Sequence, residues 1–379
     1  MRVENYNIEV LKWAEEKFRV ENIGEKFPKL KDWVRGLSGP TIKQLAKFSK
    51  ATSIPFGYFF LDKLPALTTG VPLFRTDSQT PTEDYSAELT DTISVIQKRQ
   101  EWLKEFAISE GYEMLEFVGS FDERSNVIQV ADDIRSKLKL NIDWAERFRN
   151  WEESLKHLFD KTEQAQIYIS INGVVENNTH RVLNPSEFRG FVLTDNYVPY
   201  IFINGQDFTA AKMFTIAHEL AHIWLGKTAA FDLKNLMPSR QAIEMRCNEI
   251  AAEFLVPQDS LTDFWKQIKS DKDQIEKIAK HYKVSQIVAA RRLLDIGKLE
   301  KVEFLNFYEK YRENWTTSKK KKQKGGDFYN NQNYRVGKSF FTQVLTAAKE
   351  GKLLYTDAYK LTGLYGKSFS KFEEALSKS

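Results

Sequence analysis

The apolar positions change rhythm along the chain. Between residues 8 and 62 they recur at helical spacing in short bursts: Leu11, Ala14 and Phe18, then Leu30, Trp33 and Val34, then Ile42, Leu45, Ala46 and Phe48. This predicts several short helices, the third starting at Pro40-Thr41. Prolines 65, 72 and 81 cannot sit inside helices or central strands, so residues 66–83 read as a linker. Leu89, Ile93, Ile96, Leu103 and Phe106 predict a helix over about 83–109, with more helix to about His157. The period then becomes two in residues 166–171, 190–193 and 200–204, which predicts three strands of a small sheet.

The helical period returns over 209–225 and again over about 240–255, where Pro257 stops it. Residues 275–282 and 285–294 predict two helices separated by Lys283-Val284, a spacing compatible with a helix-turn-helix. The lysine run at 319–322 and Gly325-Gly326 mark a loop, and residues 334–377 read as helix again. The fold class expected is α+β and mainly helical.

Composition narrows the class. A chain of 379 residues exceeds one ordinary core, so two or three domains are expected. With 42% hydrophobic and 28% charged residues it is a folded rather than a disordered type. The net charge of +4 is too small to demand a nucleic-acid partner. One cysteine, Cys247, excludes an intrachain disulfide and fits a reducing compartment. Residues 1–6 lack the apolar stretch of a secretory signal, and no run reaches the roughly 20 apolar residues of a membrane span. A cytoplasmic location without a membrane partner is the expectation.

The chemistry concentrates at His218-Glu219-Leu220-Ala221-His222. Two histidines four apart share one helix face, so both rings reach one ion, and zinc accepts neutral imidazole. Glu219, one position along, is placed to take a proton from water as a general base. Residues 214–225 are too apolar for an exposed surface helix, which sets the motif inside a packed domain. A third ligand must come from elsewhere. Glu244 shares a helix face with Cys247, Asn248, Ala251 and Leu255, the small and apolar side suited to packing on the first helix, and is the favoured ligand. Asn248 is then placed to hold the free nitrogen of a ligand histidine. Glu249 and Glu253 read as solvated, with Glu253 the fallback ligand. Cys247 reads as core, and His157, His180 and His281 have no ligand-like spacing.

These residues resemble the ImmA/IrrE-type metallopeptidases, in a long-tailed version fused to an N-terminal Xre-like helix-turn-helix. Residues 214–222 and 244–257, ending in Leu255-Val256-Pro257, look like that family's two helices with an acid ligand and a terminal proline. Residues 40–48 and 55–61 look like the end of the Xre-like module, and 188–191, 199–204, 284–293 and 325–329 resemble other family segments. The resemblance implies Zn2+ on His218, His222 and Glu244 in a zincin-like peptidase, with a helix-turn-helix repressor as protein substrate and, for long-tailed members, a toxin-antitoxin setting.

The layout expected is an Xre-like module at 1–65, a linker at 66–83, a peptidase domain at 84–260, a helix-turn-helix-like segment at 261–300 and a helical C-terminal region at 301–379. The N-terminal module has few clustered basic residues, since Lys29, Lys31 and Arg35 are offset by Asp32. Arg291, Arg292 and Lys298 make the second segment the better DNA candidate. Strand 200–204, through Tyr200, Phe202 and Asn204, is expected to pair with an extended substrate. The competing reading is a DNA-binding regulator or antitoxin-like protein, with a toxin partner and a structural or weakly active zinc site.

Overall fold

The computed structural model describes residues 2–3, 6–17, 23–52, 56–61, 73–74, 85–227, 229–231, 242–318 and 333–377. The prolines at 65, 72 and 81, most of the expected linker, the lysine run at 319–322 and the Gly325-Gly326 pair lie outside the described residues. Two units are distinguished, Met1–Gly70 with Gln79–Asp91, and Val71–Ser78 with Thr92–Ser379.

The first unit contains α1 (Ile8–Lys17), α2 (Ile23–Lys26), α3 (Leu30–Val34) and α4 (Ile42–Thr52). Thr41 starts α4 through a capping box: Gln44 Oε1 accepts the Thr41 N–H at 2.8 Å, and Thr41 Oγ1 accepts the Gln44 N–H at 3.2 Å. Two donors that a helix start leaves open are thereby satisfied. Leu11, Leu30, Trp33, Leu45, Phe48 and Phe59 form its core.

The second unit contains β1 (Leu73–Phe74), α5 (Ala87–Ser109, entering from the first unit), α6 (Val127–Lys137), α7 (Trp151–Gln164), β2 (Tyr168–Asn172), β3 (Val174–Val175), β4 (Asn178–Val182), β5 (Gly190–Leu193), β6 (Tyr200–Asn204) and α8 (Thr209–Trp224). Then follow β7 (Ala229–Phe231), α9 (Ala242–Leu255), α10 (Gln258–Ile268), α11 (Gln274–Tyr282), α12 (Gln286–Asp295), α13 (Lys301–Ser318), α14 (Lys338–Lys349), α15 (Tyr355–Thr362) and α16 (Lys367–Ser377).

The main sheet has five strands in the order β1-β7-β5-β6-β2, and β3 and β4 form a separate hairpin. Strand β6 is parallel to β2 and antiparallel to β5, while β7 is antiparallel to β5 and parallel to β1. The expected three strands become five because β1 and β7 are too short to carry a periodic signal. Alternation in β2 and β6 also does not mean one wet face, since every residue of both is buried. Ile201 and Ile203 join Ile216 and Leu220 in the core on one side. On the other side the Tyr200 ring meets Phe340 at 6.2 Å, and Ser170 Oγ donates to the Val336 carbonyl at 3.3 Å. The segment from 333 into α14 covers this face.

Helix α8 is buried from Met213 to Trp224, lying between the sheet and α6, α7 and α9. Gly190 permits its approach to β5, because a Cβ there would stand 2.6 Å from Thr215 Cγ2 and 2.9 Å from the Phe202 carbonyl oxygen. Its C-terminal end is fixed by Trp224, whose Nε1 donates to Asp133 Oδ2 at 2.6 Å and whose ring stacks on Phe117.

Leu261, Ile278, Tyr282, Val288 and Leu293 lie in the same core as Leu220. Residues 261–300 are therefore built into the unit that holds α8 and do not form a module of their own. The boundaries expected at 260 and 300 are not boundaries of packing, because helices with one apolar face bury it against the nearest core.

Candidate metal centre

Helix periodicity stacks His218 and His222 one turn apart on α8, with ring centroids 4.8 Å apart. Packing of α9 against α8 brings Glu244 between them. Glu244 Oε2 lies 3.1 Å from His218 Nε2, Glu244 Oε1 lies 3.3 Å from His222 Nε2, and the two Nε2 atoms are 3.1 Å apart. All three side chains are buried. The donor spacing matches a tetrahedral ion, since bonds of about 2.0–2.1 Å give edges of roughly 3.3–3.4 Å.

Proton accounting supports the same fit. His218 Nδ1 donates to Asn248 Oδ1 at 3.0 Å. Burial holds the His218 ring below its ordinary pKa, so the ring is neutral and its Nε2 presents a bare lone pair to the Glu244 carboxylate. Lone pairs converging at such distances repel unless a cation lies among them. Glu244 also stands in the first turn of α9, where the helix dipole favours negative charge.

Both oxygens of Glu219, Glu244 Oε1 and His222 Nδ1 are buried and accept or donate no hydrogen bond among the described residues. Orphaned polar atoms of this kind are rare in a finished core and mark a place for a ligand. Burial drives the Glu219 carboxyl well above its ordinary pKa, with the Glu244 charge adding to the effect. Cys247 Sγ is within 4.8 Å of a ring nitrogen of each histidine. Burial raises its thiol well above the ordinary value, with the Glu244 and Glu219 charges adding to this, and it packs as a neutral core residue.

Residues 162–294 match the family model of the IrrE N-terminal-like domain, Peptidase_M78. The segment similar to this peptidase family runs from the end of α7 through the sheet, α8 and α9 to α12, and so holds every side chain of the cluster. It begins well after residue 84 and ends well after residue 260. Residues 336–375 match a domain of unknown function (DUF8813), which is the part that covers the second face of the sheet. No curated protein and no solved structure matches the chain. Among the described residues no helix is long and apolar enough to cross a membrane.

Other expected site residues are placed differently. Strand β6 is hydrogen-bonded on both sides, to β2 and to β5, so it has no edge with which to pair a substrate. Tyr200 bonds Ser170 Oγ at 2.8 Å, Phe202 stacks on Phe191, and Asn204 Nδ2 donates to the Phe188 carbonyl at 3.1 Å. All three are buried, and the expected substrate-binding role is corrected to a structural one.

Arg292 is likewise buried rather than offered to DNA. It pairs with Glu253, and its Nε donates to the Val256 carbonyl at 3.0 Å. Glu253, read above as solvated and as the fallback ligand, is buried in that pair and also accepts the Gln258 N–H. Its charge is already matched. Arg291 pairs with Asp295 at 2.9 Å and Lys298 is exposed. The sequence shows an arginine and an acid 39 positions apart, and nothing in the helical period of either segment signals their meeting.

Proposed function

We propose that the second unit is a zinc-dependent endopeptidase that cuts a regulatory protein, the resemblance pointing to a helix-turn-helix repressor. The observation that carries this reading is the convergence of His218, His222 and Glu244 beside a buried Glu219 carboxylate that has no hydrogen-bond partner among the described residues. The first three would hold the ion, which when bound would polarise the scissile carbonyl and make water a nucleophile near neutral pH.

Glu219 takes the proton of the attacking water and delivers it to the leaving amine. A pKa raised by burial suits both halves of that task, because it strengthens the base and keeps the acid populated closer to neutrality. Asn248 fixes the His218 tautomer and so points Nε2 inward. Burial excludes competing water from the cluster.

Co-expression with the repressor-like product of a neighbouring gene tests the reading. Glu219→Gln keeps the side-chain size and is expected to retain zinc and fold while losing cleavage by about 100- to 10,000-fold. A truncated fragment made equally by wild type and variant would overturn it. The DNA-binding or antitoxin-like reading, with its toxin partner, loses support from the burial of Arg292 against Glu253. It predicts instead a biological effect that survives Glu219→Gln without any fragment.

A further inference from the structure

Helix α9 carries more than the acid of the candidate centre. Cys247 stands three positions after Glu244, so 3.6 residues per turn set both on the buried face that packs against α8. Its side chain is fully buried, and its Sγ lies within 4.8 Å of a ring nitrogen of His218 and of His222. Glu244 meets the same two rings from one turn away. The chain therefore presents two different further donors, a carboxylate and a thiol, to one pair of imidazoles.

A buried thiol taken alone is core. This one shares its surroundings with polar atoms that no protein group satisfies. Both Glu219 oxygens and His222 Nδ1 are buried without a hydrogen-bond partner among the described residues, and the Glu219 and Glu244 charges both act on Cys247. Buried polar atoms left open mark a place for a ligand. Around a tetrahedral ion, sulfur at about 2.3 Å and imidazole nitrogen at about 2.0–2.1 Å stand roughly 3.6 Å apart. Sγ thus has at most about 1.2 Å to travel to close on either ring, which a partial turn about its Cα–Cβ bond covers with α9 in place.

Softness and charge decide which ion draws it in. Imidazole and carboxylate satisfy zinc, which leaves its fourth place to water, whereas thiolate selects softer ions. Two neutral rings and Glu244 balance only one charge of a divalent ion. A thiolate balances the second, which a buried place favours. We infer that the centre has a second ligand set: with a thiophilic divalent ion, Cys247 joins His218, His222 and Glu244, takes the fourth place and closes the position that hydrolysis needs. In that step the S–H bond breaks, a sulfur–metal bond forms and the proton leaves to solvent; nothing is oxidised or reduced. The inference deepens the peptidase reading and rests on it for the meaning of closure, since a centre left open by zinc is shut by the softer ion.

The test uses the full chain, stripped of metal, with Cd2+ alone as probe. Wild type should show sulfur-to-cadmium charge-transfer absorption in the ultraviolet that saturates at about one ion per chain. Cys247 is the single cysteine, so the absorption has one source. Cys247→Ser keeps the side-chain size without a soft donor. It should lose the absorption and bind Cd2+ at least about 100-fold more weakly, because a lost ligand costs no less than a lost partner of a ligand. Its Zn2+ affinity should stay within about threefold of wild type, since three protein ligands suffice for zinc.

Competition against a chelating dye gives both affinities. Absence of the absorption in wild type at saturating Cd2+ overturns the inference, as does a Zn2+ affinity that falls as far as that for Cd2+. Circular dichroism and thermal unfolding check the variant, and if buried serine unfolds the chain, Cys247→Ala carries the same comparison without an added polar atom. No part of the test involves cleavage, so the two readings fail separately. A chain that shows the absorption yet cuts no protein keeps the ligand set and loses the peptidase; one that cuts protein without the absorption keeps the peptidase alone.

Discussion

His218 donates its Nδ1 proton to Asn248 Oδ1 across 3.0 Å, a bond between α8 and α9. It selects the tautomer whose Nε2 lone pair faces Glu244 and His222. Without it the ring could carry its proton on Nε2 instead, where it would bond Glu244 and exclude an ion. Asn248→Leu should therefore lower zinc affinity by about 10- to 100-fold while leaving the fold intact. Competition against a chelating dye measures the affinity, and circular dichroism checks the fold. Unchanged affinity would remove Asn248 from the site.

Gly190 lets α8 lie directly on β5. Gly190→Ala should destabilise the protein by about 1–3 kcal/mol, because the added carbon meets both Thr215 Cγ2 and the Phe202 carbonyl. Adding Thr215→Ser removes the methyl but leaves the carbonyl. Rescue should be partial. Urea denaturation of the single and double variants gives the numbers, and full rescue would place the whole clash on Thr215.

Arg292 and Glu253 bind α12 to α9 through a buried ion pair. Arg292→Ala leaves Glu253 charged and uncompensated and should cost about 3–5 kcal/mol in chemical denaturation. A DNA-contacting arginine would instead be lost with little change in stability and with weaker, less salt-sensitive binding in a mobility shift. The two outcomes separate the roles of this residue.

Glu163 supplies a pH signature. Burial raises its carboxyl from 4.5 to about 7, although Glu163 Oε1 accepts the Ser339 N–H at 3.0 Å; Asp160 raises it further and Lys338 lowers it. Between those two values the folded chain holds a proton that the unfolded chain has lost. This contribution to stability is therefore complete below about pH 4.5 and falls as pH rises through 7, by about 3 kcal/mol in all. Glu163→Gln keeps an acceptor for Ser339 but does not titrate, so its unfolding midpoint should lack this fall. A wild type and variant with parallel pH profiles would show that Glu163 is not the group responsible.

Local chemistry settles much of this protein. Apolar spacing located α4, α8, α9 and strands β2, β5 and β6 to within a few residues, because side-chain period depends only on backbone geometry. It also set His218 with His222, and Glu244 with Asn248, each pair on one helix face, since residues four apart lie one turn on; Glu253 stayed open as an alternative ligand until its pairing with Arg292 was on the page. What covers a strand, and which charge meets which, is decided at distances along the chain that no local period records. Ser170 finds Val336, Arg292 finds Glu253, and Leu73–Phe74 closes the edge of β7 more than 150 residues away. Those pairings made β6 an interior strand and buried Arg292 against Glu253. Each follows from burial: a core admits a backbone donor or a charge only with its partner, and the partner is whatever the folded chain brings there.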